Sequence, residues 1–176
     1  MLHDADLMAA VGQGDSRAFE EIVRRHQRAA WNVAWRFLGD AEEAEDVVQD
    51  AFLKLLDAAA RYRPDAPFRS YLFRIVTRLC LDWARKKRPT YTDKLPDVAD
   101  PAPTASEALM TEERARAARR ALDSLPANQR MAVVLKYYEG MSYAGIAASI
   151  DVSAKAVERL LSRARETLQE RLAGSL

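Results

Sequence analysis

Along almost the whole chain apolar residues recur at spacings of three and four, and nowhere do they alternate with period two for long enough to make a sheet. That periodicity commits the chain to an all-α fold. One stretch breaks it. Residues 89–106, PTYTDKLPDVADPAPTAS, hold four of the seven prolines and no amphipathic period, and read as a linker. The expected organisation is therefore two small helical domains, at 1–88 and 111–176, joined by a flexible segment at 89–110. In the first domain helices are expected near Asp4–Val11, Ser16–Leu38, Ala41–Ala60 and Phe68–Lys87. In the second they are expected near Glu112–Ser124, Ala127–Tyr138, Tyr143–Ile150 and Ala154–Leu172. Pro126 suits a first helical turn, Gly140 suits the residue after a helix end, and Ser142 and Ser153 suit N-caps.

The formal net charge is +1 over 176 residues, so total charge carries no nucleic-acid signal, and its sorting by segment matters more. The single cysteine, Cys80, excludes an internal disulfide and lies in an apolar run, where a buried inert thiol is expected. No apolar run approaches the roughly 20 residues that span a bilayer. The start, MLHDADLMAAVGQGD, lacks the basic segment of a signal peptide. A cytoplasmic protein is expected. His3 and His26 are far apart in sequence, no Cys/His cluster has metal spacing and no glycine-rich phosphate loop is present, so neither an enzyme nor a metal or other cofactor is expected.

Charge is concentrated in the third helix. Asp40 to Asp50 holds six acidic side chains and no basic one. On the helix, Ala44, Val47, Val48, Ala51, Phe52, Leu55 and Ala58 share an apolar face, opposite Glu42, Asp46, Gln49, Asp50, Leu53 and Asp57. Two readings stand side by side. The acids keep the helix soluble and favour its N-terminus through the helix dipole. Alternatively, Leu53 is the apolar centre of a carboxylate-ringed docking face for a basic protein.

The fourth helix is expected to bury Phe68, Leu72, Ile75, Val76, Leu79 and Trp83. It carries Arg74, Arg78 and Arg85 on the far face, flanked by Tyr71 and Thr77, and ends in Arg85-Lys86-Lys87-Arg88. Cations at a helix C-terminus are favourable by about 0.3–1 kcal/mol without any ligand. Three arginines in a stripe beside an aromatic also suit phosphates and unpaired bases. The last two helices fit a helix-turn-helix: Tyr143, Ile146, Ala147 and Ile150 inward, a turn at Asp151-Val152, then Val157, Leu160, Leu161, Ala164 and Leu168 inward. A plain helical hairpin is the alternative. Lys155, Arg159, Ser162, Arg163 and Glu166 remain on or near the outer side, as a helix lying in a major groove requires.

These pieces, in this order, resemble a sigma factor of the extracytoplasmic-function class, a promoter-recognition subunit of bacterial RNA polymerase. EDVVQDAFLKLL resembles region 2.2, YLFRIVTRLCLDWARKKR regions 2.3 and 2.4, and LDSLPANQRMAVVLKYYEGMSYAGIA with VSAKAVERLLSRAR region 4. The short passage from region 2 to region 4 assigns the class. The resemblance implies that Asp46, Gln49, Asp50 and Leu53 dock on the clamp helices of the polymerase's largest subunit. It implies that the Arg61–Arg69 loop and Tyr71, Arg74, Thr77, Arg78, Asp82, Arg85 and Lys86 take the minus-10 element, with a flipped non-template base held under the loop. It implies that Lys155, Arg159, Ser162 and Arg163 read the minus-35 element as duplex, that Arg130 touches DNA backbone, and that this domain meets the polymerase flap. Arg78 stands where the family often has Asn, and Arg159 where a small residue is common. An anti-sigma factor is a common partner of the class.

Three rival readings make different demands. A stand-alone helix-turn-helix regulator explains residues 127–172 and leaves the acidic face idle. A sigma-like decoy that sequesters an anti-sigma factor has no use for Arg74, Arg85, Arg159 and Arg163. An enzyme has no candidate catalytic cluster here.

Overall fold

The computed structural model describes residues 2–87 and 105–173. Most of the expected linker, residues 88–104, lies outside them. All regular structure among the described residues is helical: α1 Asp4–Gly12, α2 Ser16–Leu38, α3 Ala41–Ala58, α4 Phe68–Lys86, α5 Ala105–Asp123, α6 Ala127–Val133, α7 Tyr143–Ile150 and α8 Ala154–Ala173. A 3-10 turn, Ala59–Arg61, follows α3, and a π-helical segment, Val134–Tyr138, follows α6. Helix α5 begins before the expected Glu112. The single helix expected over Ala127–Tyr138 changes pitch at Val134, where Glu139 N–H reaches back to the Val134 carbonyl.

Local chemistry sets most boundaries. Asp15 caps α2 by accepting from the N–H groups of Arg17 and Ala18, at 2.9 and 3.1 Å. Asp40 caps α3 by accepting from Glu43 N–H at 3.0 Å. Between them, Gly39 ends α2 in the left-handed region at φ 76°. Ser142 accepts from Gly145 N–H and Ser153 from Ala156 N–H, each at 3.1 Å, which caps α7 and α8 at the expected positions. Asp151 makes the turn between them at φ 56°, a conformation Asp tolerates better than most residues.

The first module packs α1 to α4 around Met8, Ile22, Val33, Phe37, Leu55 and Leu72, all essentially solvent-free. Helix α3 buries the apolar face expected of it, except that Ala58 is half-exposed. The second module packs α6, α7 and α8 around Met131, Leu135, Ile146, Val157 and Leu161, and α5 rests on α8. Tyr143, expected inside, is partly exposed, with the Lys136 ammonium 4.9 Å from its ring centre.

Helix α4 differs from expectation. Ile75, Leu79 and Trp83 are only partly covered, while Phe73, Thr77 and Cys80 are buried as well as Phe68, Leu72 and Val76. The helix is covered from two sides, because α7 and α6 of the second module lie on it. Burial pushes the Cys80 thiol far above its ordinary range, which makes it inert.

Leu53 and Leu55 test this assignment of faces. Leu55→Ala is expected to cost about 2–5 kcal/mol, as cavity-forming substitutions do. Leu53→Ala is expected to change stability by no more than about 0.5 kcal/mol. Urea denaturation of both variants checks the contrast.

Candidate polymerase and nucleic acid interface

Helix α3 presents Asp46, Gln49, Asp50 and Leu53 together on one exposed face. Leu53 is 59 % exposed and Leu56, one turn further on, is 42 % exposed. Among the described residues Asp46, Asp50 and Asp57 make no ion pair, so their charge is not neutralised within the fold. Glu43, on the side toward α4, is different: it pairs with Lys87, whose ammonium also lies over the Trp83 ring. Leu56 was absent from the sequence reading, although its spacing of three from Leu53 is the signal that places both on one face.

The loop between the 3-10 turn and α4 carries an aromatic cluster. Tyr62 meets Tyr71 at 5.1 Å and Phe68 at 6.2 Å between ring centres, and His26 lies 4.8 Å from Phe68. A depression beside it is lined by Asp4, Tyr62, Pro64, Asp65, Pro67 and Phe68. The Tyr62 hydroxyl is buried without a hydrogen-bond partner in the protein, and its pKa is raised, first by burial and then by Tyr71, Asp4 and Asp65. Asp4 reaches this depression from α1, where it accepts from Arg25 at 3.1 Å and faces His26 Nε2 at 3.0 Å. Nothing in the local sequence pattern marks Asp4, because the chain brings it there from more than fifty residues away.

Along α4 the candidate residues divide. Arg74 and Tyr71 are half-buried, and Lys86 is exposed. Arg85 and Asp82 pair with each other. Arg78 donates to Asp151 of the helix-turn-helix at 2.9 Å. Thr77, expected on an exposed flank, is completely buried, with its hydroxyl 3.7 Å from Met131 Sδ. The second module covers that flank, so Thr77 faces protein here.

On α8, Lys155, Arg159, Ser162, Arg163 and Glu166 are all exposed, opposite the buried Val157, Leu161 and Ala164. Arg130 is not with them. Its guanidinium turns inward, donating to the carbonyls of Phe37 at 3.0 Å, Asp123 at 3.0 Å and Leu125 at 3.2 Å, and lies over the Phe37 ring. Burial lowers its pKa from the ordinary arginine value, with Asp123 opposing the shift. Arg130 was expected on DNA backbone; here its guanidinium is taken by the Phe37 carbonyl at the end of α2 and by the Asp123 and Leu125 carbonyls of its own module.

The two modules meet through residues that the sequence reading did not single out. Arg119 donates to the carbonyls of Trp35 at 3.3 Å, Arg36 at 2.7 Å and Phe37 at 3.4 Å, and to Asp123 at 3.1 Å. Glu139, its side chain only 5 % exposed, accepts from Arg36 at 3.2 Å and pairs with Arg69. No helix is long and apolar enough to cross a membrane, and no group of His, Cys, Asp and Glu suits a metal ion, among the described residues.

Known proteins resemble the chain over nearly all of its length. The Sigma-70 region 2 family matches residues 22–90 and the Sigma-70, region 4 family matches residues 115–168. The chain is 38 % identical over 173 residues to the ECF RNA polymerase sigma factor SigM of Mycobacterium tuberculosis, covering 98 % of this chain and 86 % of that protein. It is 29 % identical to the ECF RNA polymerase sigma-E factor of Escherichia coli, covering 97 % and 95 %. The structure of CnrH in complex with the cytosolic domain of CnrY superposes with a TM-score of 0.74 at 32 % identity, covering 98 % of this chain and 99 % of that one. Both modules, their order and the exposed faces of α3 and α8 thus lead to one conclusion: the chain belongs to the sigma-70 family of RNA polymerase sigma factors, in its extracytoplasmic-function class.

Proposed function

We propose that this sigma factor docks on core RNA polymerase through Asp46, Gln49, Asp50 and Leu53 of α3, and that the opposing surface is a basic helical one on the polymerase's largest subunit. The observation that carries this reading is the exposed Leu53–Leu56 pair set among unpaired carboxylates. An apolar centre with a charged rim favours a protein partner, because burying the leucines supplies affinity and the carboxylates supply steering and register. DNA is a poor occupant of this face, since its phosphates would meet like charge.

Promoter recognition is divided between the modules. The minus-10 element is assigned to the loop before α4 and to Tyr71, Arg74, Thr77, Arg78, Asp82, Arg85 and Lys86. The depression beside Tyr62 has the chemistry to hold an extrahelical base, because the Tyr62 and Phe68 rings among its lining suit stacking. Capture of an unstacked base offsets the few kcal/mol that unstacking costs, which is how a protein without nucleotide hydrolysis can nucleate melting. The minus-35 element is assigned to Lys155, Arg159, Ser162 and Arg163, with Arg130 on backbone once the second module is free. A bidentate arginine contact to guanine is within reach of Arg159. The second module docks on the polymerase flap. The protein works in the cytoplasm, where its polymerase is, and an anti-sigma factor controls it. CnrH, its structural relative, is seen in complex with the cytosolic domain of CnrY, which supports that last assignment.

Asp46→Arg is expected to weaken core polymerase binding at least tenfold, the scale of a like-charge juxtaposition at an interface. Gln49→Ala is expected to weaken it less, with thermal stability of both variants unchanged. Titration of labelled protein with core enzyme measures this, and unaltered affinity for Asp46→Arg removes the docking assignment. Arg163→Ala is expected to lower run-off transcription from promoters that carry a minus-35 element by about 1–3 kcal/mol of binding, and to spare promoters that lack it. Equal losses on both promoter types would show that Arg163 does not read that element.

A further inference from the structure

We infer that α1 is a brace that sets the shape of the depression beside Tyr62, with Gly12 and Asp4 as positioning residues for the two ends of the loop before α4. That this depression takes a flipped base rests on the proposed function above; the brace itself does not. The Sigma-70 region 2 match begins at residue 22, so α1 lies wholly before it.

The loop needs an external support. Residues 63–67 are all exposed, and only the aromatics at its two ends, Tyr62 and Phe68, are drawn into the fold. Gly12 sets the first end. Helix α1 buries Leu7, Met8 and Val11 and lies against both α2 and the 3-10 turn Ala59–Arg61. At Gly12 the two backbones touch: a β-carbon there would stand 2.9 Å from the Ala59 carbonyl oxygen and 3.2 Å from Ala60 Cα. Both are main-chain atoms, so no side-chain rotation relieves the collision. The same Ala59 carbonyl accepts from Tyr62 N–H at 3.2 Å, the bond that ends the turn and starts the loop. Gly12 therefore fixes the carbonyl that fixes Tyr62.

Asp4 sets the other end, from the far end of α1. Its two carboxylate oxygens divide between Arg25, at 3.1 Å, and His26 Nε2, at 3.0 Å. Arg25 is itself held, donating to Glu21 at 2.6 Å and to the Leu2 carbonyl at 2.9 Å. The His26 ring lies 4.8 Å from that of Phe68, the first residue of α4. One helix thus secures both aromatic walls. A wall displaced by about 0.5–1 Å forfeits a quarter to a half of its contact energy with a stacked base, so their placement decides what the depression can hold.

Gly14 supplies a matched control. It lies at φ 92° with nothing near its β-position, so Gly14→Ala strains the chain after α1 without touching Ala59. Hydrogen exchange of the full chain reads the brace: Gly12→Ala is expected to speed exchange of the Tyr62 amide about tenfold relative to Gly14→Ala. Function is read with the holoenzyme, as affinity for a promoter that the wild type transcribes, intact and with single abasic sites across the minus-10 non-template strand. At one position the wild type is expected to lose about tenfold, as loss of one stacked base implies. Removing that base is expected to cost Gly12→Ala no more than about twofold, and Asp4→Asn, which keeps the side chain's shape, about threefold. A general structural defect would weaken every template equally and leave the tenfold ratio in place. Equal Tyr62 exchange in Gly12→Ala and Gly14→Ala, or the wild-type ratio in both Gly12→Ala and Asp4→Asn, would overturn the brace; should Gly12→Ala not fold, the ratio for Asp4→Asn decides. If no abasic site weakens wild-type binding while Gly12→Ala still frees the Tyr62 amide, base capture falls and the brace stands.

Discussion

The carbonyls at the C-terminal end of α2 set the geometry of the whole molecule. A helix of this length ends with several carbonyls that its own backbone cannot satisfy, at the negative pole of its dipole. Gly39 turns the chain away at once in the left-handed conformation and returns one hydrogen bond, from its own N–H to the Trp35 carbonyl at 2.8 Å. The remaining groups are left facing outward. Two guanidiniums from the second module fill that position, and Arg130 adds contact with the ring of Phe37. The close approach depends on Gly39: a β-carbon there would come within 2.8 Å of the Arg119 guanidinium. With that end satisfied, α7 comes to lie along α4 and Glu139 falls between Arg36 and Arg69. The placement of one module on the other follows from an ordinary feature of helix ends.

The faces of α3 show a different division of labour. Its inner residues are large and apolar and hold the first module together. Its outer residues contribute little to that module, yet include two exposed leucines. Exposed leucines cost solubility and return nothing to folding, so a ring of carboxylates around them has a use in keeping the surface hydrated until a partner arrives. The same ring fixes the sign of the partner. The outer face of α3 is negative where that of α8 carries Lys155, Arg159 and Arg163, so the two faces suit partners of opposite sign.

Features decided within one or two turns of chain were legible in the sequence. Ser142 and Ser153 act as caps because a hydroxyl one residue before a helix reaches its first free N–H groups, and Asp151 adopts the left-handed turn conformation for an equally local reason. Leu53 stood out because the helical period placed it among acids. Thr77 was misplaced for a physical reason: periodicity records which residues one helix needs to bury, and α4 is covered a second time by a module from far along the chain. Arg119, Arg130 and Glu139 were illegible for the same reason. Charged residues on helices normally face solvent, and only the neighbouring carbonyls and guanidiniums of a distant segment make burial favourable for them. The change of pitch at Val134 has no sequence signal in this chain, since Val, Leu, Lys and Tyr occur in regular helices too.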